Sequence, residues 1–457
     1  MKKKIIRACT VSMSVGFVKG MLPDLTNKYE VVLVSSPGPE MDEAREQYGV
    51  RTIEVPMERH ISPVKDFLSL CRLIRVFLKE KPDMVHSMTP KAGLLCMTAA
   101  WLTRVPVRIH TFTGLVWPTS TGLKRRILML TDAITCWCAT HVIPEGEGVK
   151  ADLMNNGITH KPLRILGYGN VRGIDMDKFS VLSVERSKEC SVLSVECSGQ
   201  NSKLKTFTFL FVGRVVRDKG INELVEAFCR LNSEKPETRL VLVGFFEENL
   251  DPVRPETKKM IEENPNIIMA GERTGDDLVR SYAEADCFVF PSYREGFPNT
   301  VLEAGAMGLP CIVTDINGSR EIITDIAHAD HADNHYFDHG STRIHTDDNL
   351  THAERDKTTD DTDNNLTHAD HADCFLNHES HESHEFSKNQ KLKTKTNGII
   401  IPPRDAEALY EAMKMMVTDD NMRVAMAKNA RPMIESRFEQ GFVRKCLYDF
   451  YEDILDS

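Results

Sequence analysis

Two glutamates eight residues apart, Glu295 and Glu303, are the side chains best placed by type and spacing to do chemistry. They lie in FVFPSYREGFPNTVLEAGAMGLPCIVTD (288–315). That stretch reads as the end of a buried strand (288–290), a polar loop, a helix from about Asn299 with Glu303 in its first turn, and a second buried strand (310–313). A carboxylate pair therefore stands at the carboxyl end of a strand, beside a helix N-terminus. Open α/β sheets bind ligands at such an edge, and the first amides of a helix suit a phosphate. Glu303 has a second reading, since Thr300-x-x-Glu303 fits a capping box. A further cluster, Arg214, Arg217 and Lys219 in FVGRVVRDKGI (211–221), follows a strand ending at Gly213 and precedes a helix. An arginine fork and a lysine point charge there would hold a diphosphate. Taken alone, the same residues would decorate an ordinary βα turn; their place at the same sheet edge as the carboxylates favours the anion.

The elements that must position these groups alternate along the chain. Segments 4–9, 30–35 and 50–56 are β-branched runs bounded by Gly, Pro and Ser, as expected of parallel strands. Apolar residues from Phe67 to Leu78 recur with helical spacing until Lys81-Pro82. Strands over 83–88, 107–112 and 139–143 alternate with helices over 91–103, 122–137 and 146–155, and 163–179 is expected to supply a last strand and an exit loop. Alternation resumes at 207–213 and runs through 286–290, ending with a strand within 397–405 and helices over 405–417, 419–436 and 438–455. The last helix is expected to bury Phe442, Cys446, Leu447, Phe450 and Ile454. The fold class is α/β, with two Rossmann-like doubly wound domains facing a cleft. Their limits are 1–179, a linker over 180–205, 206–437, and a C-terminal helix over 438–457.

Composition sets the limits. A chain of 457 residues exceeds one ordinary core. Of the formal charge of -10, the 326–396 segment supplies -8 (15 acidic and 7 basic residues), so the body is nearly neutral and no nucleic-acid partner is indicated. Eleven of the sixteen histidines also fall in 326–396, among repeats such as HADHAD and HESHESHE, with few apolar residues. Such a segment is expected to be a disordered insertion into a surface loop, a metal sink being the lesser reading. SVLSVE occurs at 180–185 and again at 191–196, a tandem duplication in the linker. The twelve cysteines show no C-x-x-C pair and no signal peptide precedes them, which reads as reduced thiols in a cytoplasmic protein.

With its R-x4-K and E-x7-E patterns, its NGIIIPPRD strand (397–405), and HSMTPKAGLL and VRIHTFTG nearer the N-terminus, the chain resembles the retaining, nucleotide-sugar-dependent glycosyltransferases of family 4. These have the GT-B fold and include enzymes of bacterial capsule, lipopolysaccharide and exopolysaccharide assembly. The likeness covers 1–179 and 206–457. It implies that Arg214 and Lys219 bind the donor diphosphate, that Glu295 contacts the transferred sugar and that Glu303 holds the ribose hydroxyls. It implies further donor contacts from Gly296, Phe297, Pro298, Asn299, Thr300 and Val301, and from Gly16 in the loop after the first strand. His110 would lie over the sugar, with a buried core histidine as the alternative reading and His86 as the weaker candidate. No cofactor and no metal are implied, because Asp175-Met-Asp177 falls in the expected exit loop. The implied partners are a nucleotide-sugar donor and a glycan or polyprenyl-diphosphate-linked acceptor. Trp117, Lys124, Arg125 and Arg126 suit peripheral contact with the inner face of the cytoplasmic membrane, or else an ordinary solvated helix start. The competing functions are another GT-B enzyme, an epimerase or phosphorylase, and a non-catalytic nucleotide-sugar or metal-binding protein.

Overall fold

The central strands of both sheets carry mostly apolar residues on both sides, as burial between helix layers requires. The computed structural model describes residues 2–179, 206–248, 251–325 and 392–456. The SVLSVE duplication (180–196), and the 326–391 part of the insertion, lie outside the described residues.

In the first lobe, strands β1 (Lys4–Ala8), β2 (Glu30–Ser35), β3 (Arg51–Glu54), β4 (Met84–Met88), β5 (Val107–Phe112) and β6 (His141–Pro144) form one parallel sheet in the order β3-β2-β1-β4-β5-β6. Between them run helices α1 (Gly16–Lys19), α2 (Leu22–Lys28), α3 (Pro39–Tyr48), α4 (Pro63–Glu80), α5 (Pro90–Leu102) and α6 (Gly122–Cys138), and α7 (Glu147–Asn155) follows β6. Ile6, Val32, Val34, Val85, Phe112 and Val142 share a core with residues of α4, α5 and α6. Their neighbours Ile5, Val31, Leu33, Met84, Ile109 and Ile143 face α1, α2 and α3. The expected strand after α7 does not form: Leu163 makes only an isolated bridge to Val142, because the chain leaves the sheet edge at once.

In the second lobe, β7 (Phe207–Val212), α8 (Ile221–Glu234), β8 (Thr238–Val243), α9 (Pro255–Glu263), β9 (Ile267–Gly271), α10 (Gly275–Ala283), β10 (Cys287–Phe290), α11 (Asn299–Ala306), β11 (Cys311–Thr314), α12 (Ser319–Ile322), β12 (Lys393–Lys395) and β13 (Gly398–Ile401) follow in turn. The sheet order is β12-β13-β11-β10-β7-β8-β9. Residues 393–395, assigned to the insertion from sequence, are instead an edge strand antiparallel to β13. Asn397 locks that hairpin by accepting from the Thr324 amide (3.1 Å) and donating to the Ile322 carbonyl (3.0 Å).

Three helices close the chain, α13 (Ala406–Thr418), α14 (Asp420–Phe438) and α15 (Gln440–Asp456). The last crosses to the first lobe, where Leu447, Phe450 and Tyr451 join the core of Ile5, Tyr29 and Val31. Its buried stripe is Val443, Leu447, Phe450 and Tyr451, turned by about one residue from the expected face, so that Phe442 is left 39% exposed.

Trp117, expected at the surface, is buried, and its indole N–H donates to Asp132 on α6 at 3.1 Å. Burial raises the Asp132 carboxyl from the usual 3.8 to about 7. The folded chain then holds a proton that the unfolded chain has lost, so stability falls as pH rises from about 4 to about 7 and is level above. Asp132→Asn, uncharged and still able to accept from Trp117, is expected to match the parent near pH 4. Above pH 7 it should exceed the parent by on the order of 1 kcal/mol or more in urea unfolding.

Candidate active site

Between β7 and β10 the order of the second sheet reverses, so the loops after these two strands diverge and open a crevice at the carboxyl edge. The loop after β7 carries Gly213, Arg214 and, in a single 3-10 turn, Arg217–Lys219. Gly220 ends that turn at φ +71°, and a Cβ there would overlap the Pro291 carbonyl. Only glycine lets Lys219 sit this close to the second loop.

The loop after β10 supplies Ser292 and Glu295. Glu295 forms an ion pair with Lys219 and accepts from the Ser292 hydroxyl at 2.7 Å. The Lys219 ammonium also lies 4.9 Å from the centre of the Phe290 ring. Arg214 is paired with Glu247, the partner of the second cation. These groups surround a hollow of about 290 Å³ that Arg214, Lys219, Phe290 and residues 295–300 line from the second lobe. Phe17 and Thr113 complete it from the first lobe. A larger hollow of about 710 Å³ lies away from these charges, against Ala133, Ile134, Trp137 and residues 158–162.

The two lobes meet over this site through backbone. A Cβ at Gly296 would overlap the Thr113 carbonyl and come within 2.7 Å of the Gly114 amide nitrogen. Asn170 donates to Asn299 at 2.9 Å. Glu321 of the second lobe accepts from the first amides of α7, Glu147 (2.7 Å) and Gly148 (3.0 Å), placing a carboxylate at a helix N-terminus.

The residues singled out from sequence divide in two. Arg214, Lys219, Glu295, Gly296, Phe297, Pro298, Asn299 and Thr300 share one hollow. Val301 is fully buried in the core below it. Gly16 is exposed at the start of α1, with its neighbour Phe17 as the lining residue. Glu303 is not a capping residue: α11 begins at Asn299 after Pro298, so Glu303 falls one turn inside the helix. Its buried carboxyl accepts from the Tyr282 hydroxyl at 3.0 Å and approaches Arg172 at 3.5 Å, and burial raises its pKa.

His110 is a correction. Its side chain lies on the α5 side of the sheet, where the ring packs against Gly93, meets Phe112 edge-on and pairs with the Ser87 hydroxyl at 2.9 Å. The residue is 1% exposed, and burial lowers its pKa to about 3, so the ring stays neutral inside the core rather than over a ligand. His86 is equally enclosed, paired with Arg7, Tyr451 and Thr111. Thr113, three residues beyond His110 and past the end of β5, is the residue that reaches the hollow. Sequence reading also passed over Glu145, directly after β6. Its carboxyl is raised well above the ordinary range by burial, with Glu295 and Glu321 adding repulsion. An acid at a strand's carboxyl end was the available signal.

Two Rossmann-like lobes enclosing a charged hollow between their carboxyl edges define a GT-B-type enzyme. Models of two families match the chain, glycosyl transferases group 1 over 198–347 and the glycosyl transferase 4-like domain over 25–169. The chain is 32% identical to the capsular polysaccharide biosynthesis glycosyltransferase CapM of Staphylococcus aureus over 71% of its own length and 82% of that protein's. It is 29% identical to the UDP-Gal:alpha-D-GlcNAc-diphosphoundecaprenol alpha-1,3-galactosyltransferase of Escherichia coli, covering 60% and 68%. A third relative, at 26% and covering 66% and 77%, is the N,N'-diacetylbacillosaminyl-diphospho-undecaprenol alpha-1,3-N-acetylgalactosaminyltransferase of Campylobacter jejuni. HepE of Anabaena, solved in complex with UDP, shares the fold with a TM-score of 0.64 at 13% identity, over 99% of this chain and 100% of that one. The chain belongs to the family 4 glycosyltransferases. It is a sugar transferase of the group that contains the capsule and lipid-linked polysaccharide enzymes.

Gly296→Ala is expected to push the 113–114 backbone off the loop and lower kcat/KM by about 10²-fold, the cost of misplacement near 1 Å. The melting temperature should move little, since the contact lies outside both cores; steady-state kinetics beside a thermal melt checks this.

Proposed function

We propose that the protein transfers a hexosyl or N-acetylhexosaminyl unit from a nucleotide-sugar to a glycan or polyprenyl-diphosphate-linked acceptor, with retention and without a metal ion. It would work at the inner face of the cytoplasmic membrane in bacterial surface polysaccharide synthesis. The observation that carries this reading is the one hollow uniting Arg214, Lys219 and the Glu295–Thr300 loop at the reversal point of the second sheet. The relatives named for nucleotide-sugar donors and diphospho-undecaprenol acceptors support its substrate classes.

In this mechanism the donor diphosphate takes the place of the carboxylates that now pair with Arg214 and Lys219. As the bond from the anomeric carbon to the β-phosphate oxygen breaks, negative charge builds on that phosphate. Fixed cations and the first amides of α11 stabilise it without reorganising. Glu295, released from Lys219, is free to accept a hydrogen bond from the sugar. Glu303, held by Tyr282 and Arg172, orients the ribose. The acceptor hydroxyl attacks from the face the phosphate leaves, and the departing phosphate oxygen takes its proton. A glycoside and a nucleoside diphosphate result, with the anomeric configuration kept.

The test is incubation with a panel of UDP- and GDP-sugars and a lipid-linked acceptor, scored by nucleotide release and by NMR of the product. One donor is expected to turn over, in EDTA as well as in buffer, and to give the same anomer as the donor. An inverted product, or turnover abolished by EDTA, rules out the corresponding part of the mechanism. Lys219→Met should lower kcat by about 10²- to 10³-fold, the cost of losing one preorganised contact to developing charge.

A further inference from the structure

Helix α6 is apolar on two faces. Leu128, Met129 and Ala133 pack on the core of the first lobe. Its opposite face carries Leu123, Ile127, Leu130, Ile134 and Trp137, at steps of three or four residues that align them in one stripe. Leu123 is 73% exposed, and Leu130 and Trp137 are 61% exposed each.

The stripe does not stand alone. α5 packs between α6 and α4, and all three cover the same side of the sheet. On α5, exposed Trp101 meets Trp137 with ring centres 4.9 Å apart. On α4, Phe67 and Leu68 are likewise exposed. Of nineteen large apolar side chains exposed among the described residues, eleven belong to these three helices, a concentration that scattered surface leucines do not produce.

The exposed charged side chains of these three helices are all basic, with Lys65 paired to Glu58 in the loop before α4. Lys65, Arg72, Arg75, Lys79, Lys124 and Arg126 are exposed. The helices' three carboxylates are withdrawn: Asp66 pairs with Lys91, Glu80 is buried with Arg51 and Lys4, and Asp132 is buried under Trp117. Exposed apolar and tryptophan side chains ringed by lysine and arginine fit a bilayer surface bearing anionic headgroups. No helix among the described residues is long and apolar enough to cross a membrane.

We propose that the outer face of α4, α5 and α6 docks this enzyme on an anionic lipid bilayer. The proposal deepens the reading of a lipid-linked acceptor and rests on it. The amino end of α6 follows the Thr113–Gly114 segment that touches Gly296, so docking would hold the donor hollow beside the bilayer. An acceptor could then keep its polyprenyl chain in the lipid while its sugar reaches the site.

Full-length protein is sedimented with vesicles of equal parts phosphatidylglycerol and phosphatidylcholine, and with phosphatidylcholine alone. Binding to the anionic vesicles is expected to be at least about ten-fold stronger and to weaken with salt. Leu130→Ser with Trp137→Ser should reduce it by about ten-fold or more, and Arg72→Glu with Arg75→Glu should remove the preference for phosphatidylglycerol. Both variants should keep the parent's melting temperature and its turnover on a water-soluble acceptor. Absence of parent binding, or unchanged binding by both variants, overturns the proposal. So does a dimer in sedimentation equilibrium that Leu130→Ser with Trp137→Ser dissolves while no vesicle is bound. If vesicles bind as expected yet no nucleotide-sugar is turned over, the transferase mechanism falls and the docking surface stands.

Discussion

A contact with no side chains in it sets the geometry of this enzyme: the backbone at Thr113–Gly114 lies directly on the backbone at Gly296. Gly114 holds φ +128°, and Gly318, whose own Cβ would overlap the Gly296 carbonyl, holds φ +72°. Three glycines thus allow loops from two sheets to approach as closely as main chains can. Polar ties between the lobes surround that point, among them Asn170 to Asn299, Asn317 to Asp152 and Glu321 to the amino end of α7. The hollow lies beside that contact, with Thr113 and Gly296 among its lining residues.

Its electrostatics follow from the same closeness. Lys219 and Glu295 are each less than a fifth exposed, so neither charge could stand there alone without a large desolvation cost. Each is the other's partner, and Glu247 does the same for Arg214. The diphosphate of the proposed donor carries the same charge as those two carboxylates, which is the physical basis for its taking their place in the proposed mechanism. Deeper acids are handled differently: Glu145 and Glu303 are surrounded by protein, and burial raises both.

The first lobe has two unlike surfaces because its sheet is covered on both sides. One side takes α1 to α3 and, from the far end of the chain, α15. The other takes α4 to α6, whose outer faces remain apolar and basic. The loops lining the hollow and the apolar, basic outer face are thereby kept on different elements, joined at the short segment between β5 and α6.

Much of this was legible in the sequence because it is local. Parallel strands buried on both faces announce themselves as continuous apolar runs, and loops after successive strands of a doubly wound sheet share an edge. Arg214, Lys219 and Glu295 could therefore be grouped without coordinates. What tertiary structure decided was which side of each element is covered, and by what. His110 looked like a strand-end residue, but its side chain points into the layer under α5. Trp117 looked exposed, yet its N–H finds Asp132 fifteen residues on. Helical periodicity in α6 marks both its stripes equally, and only the packed lobe shows which one was left to the outside. Local sequence sets the period of an element; burial depends on partners distant in the chain, and the period alone does not name them.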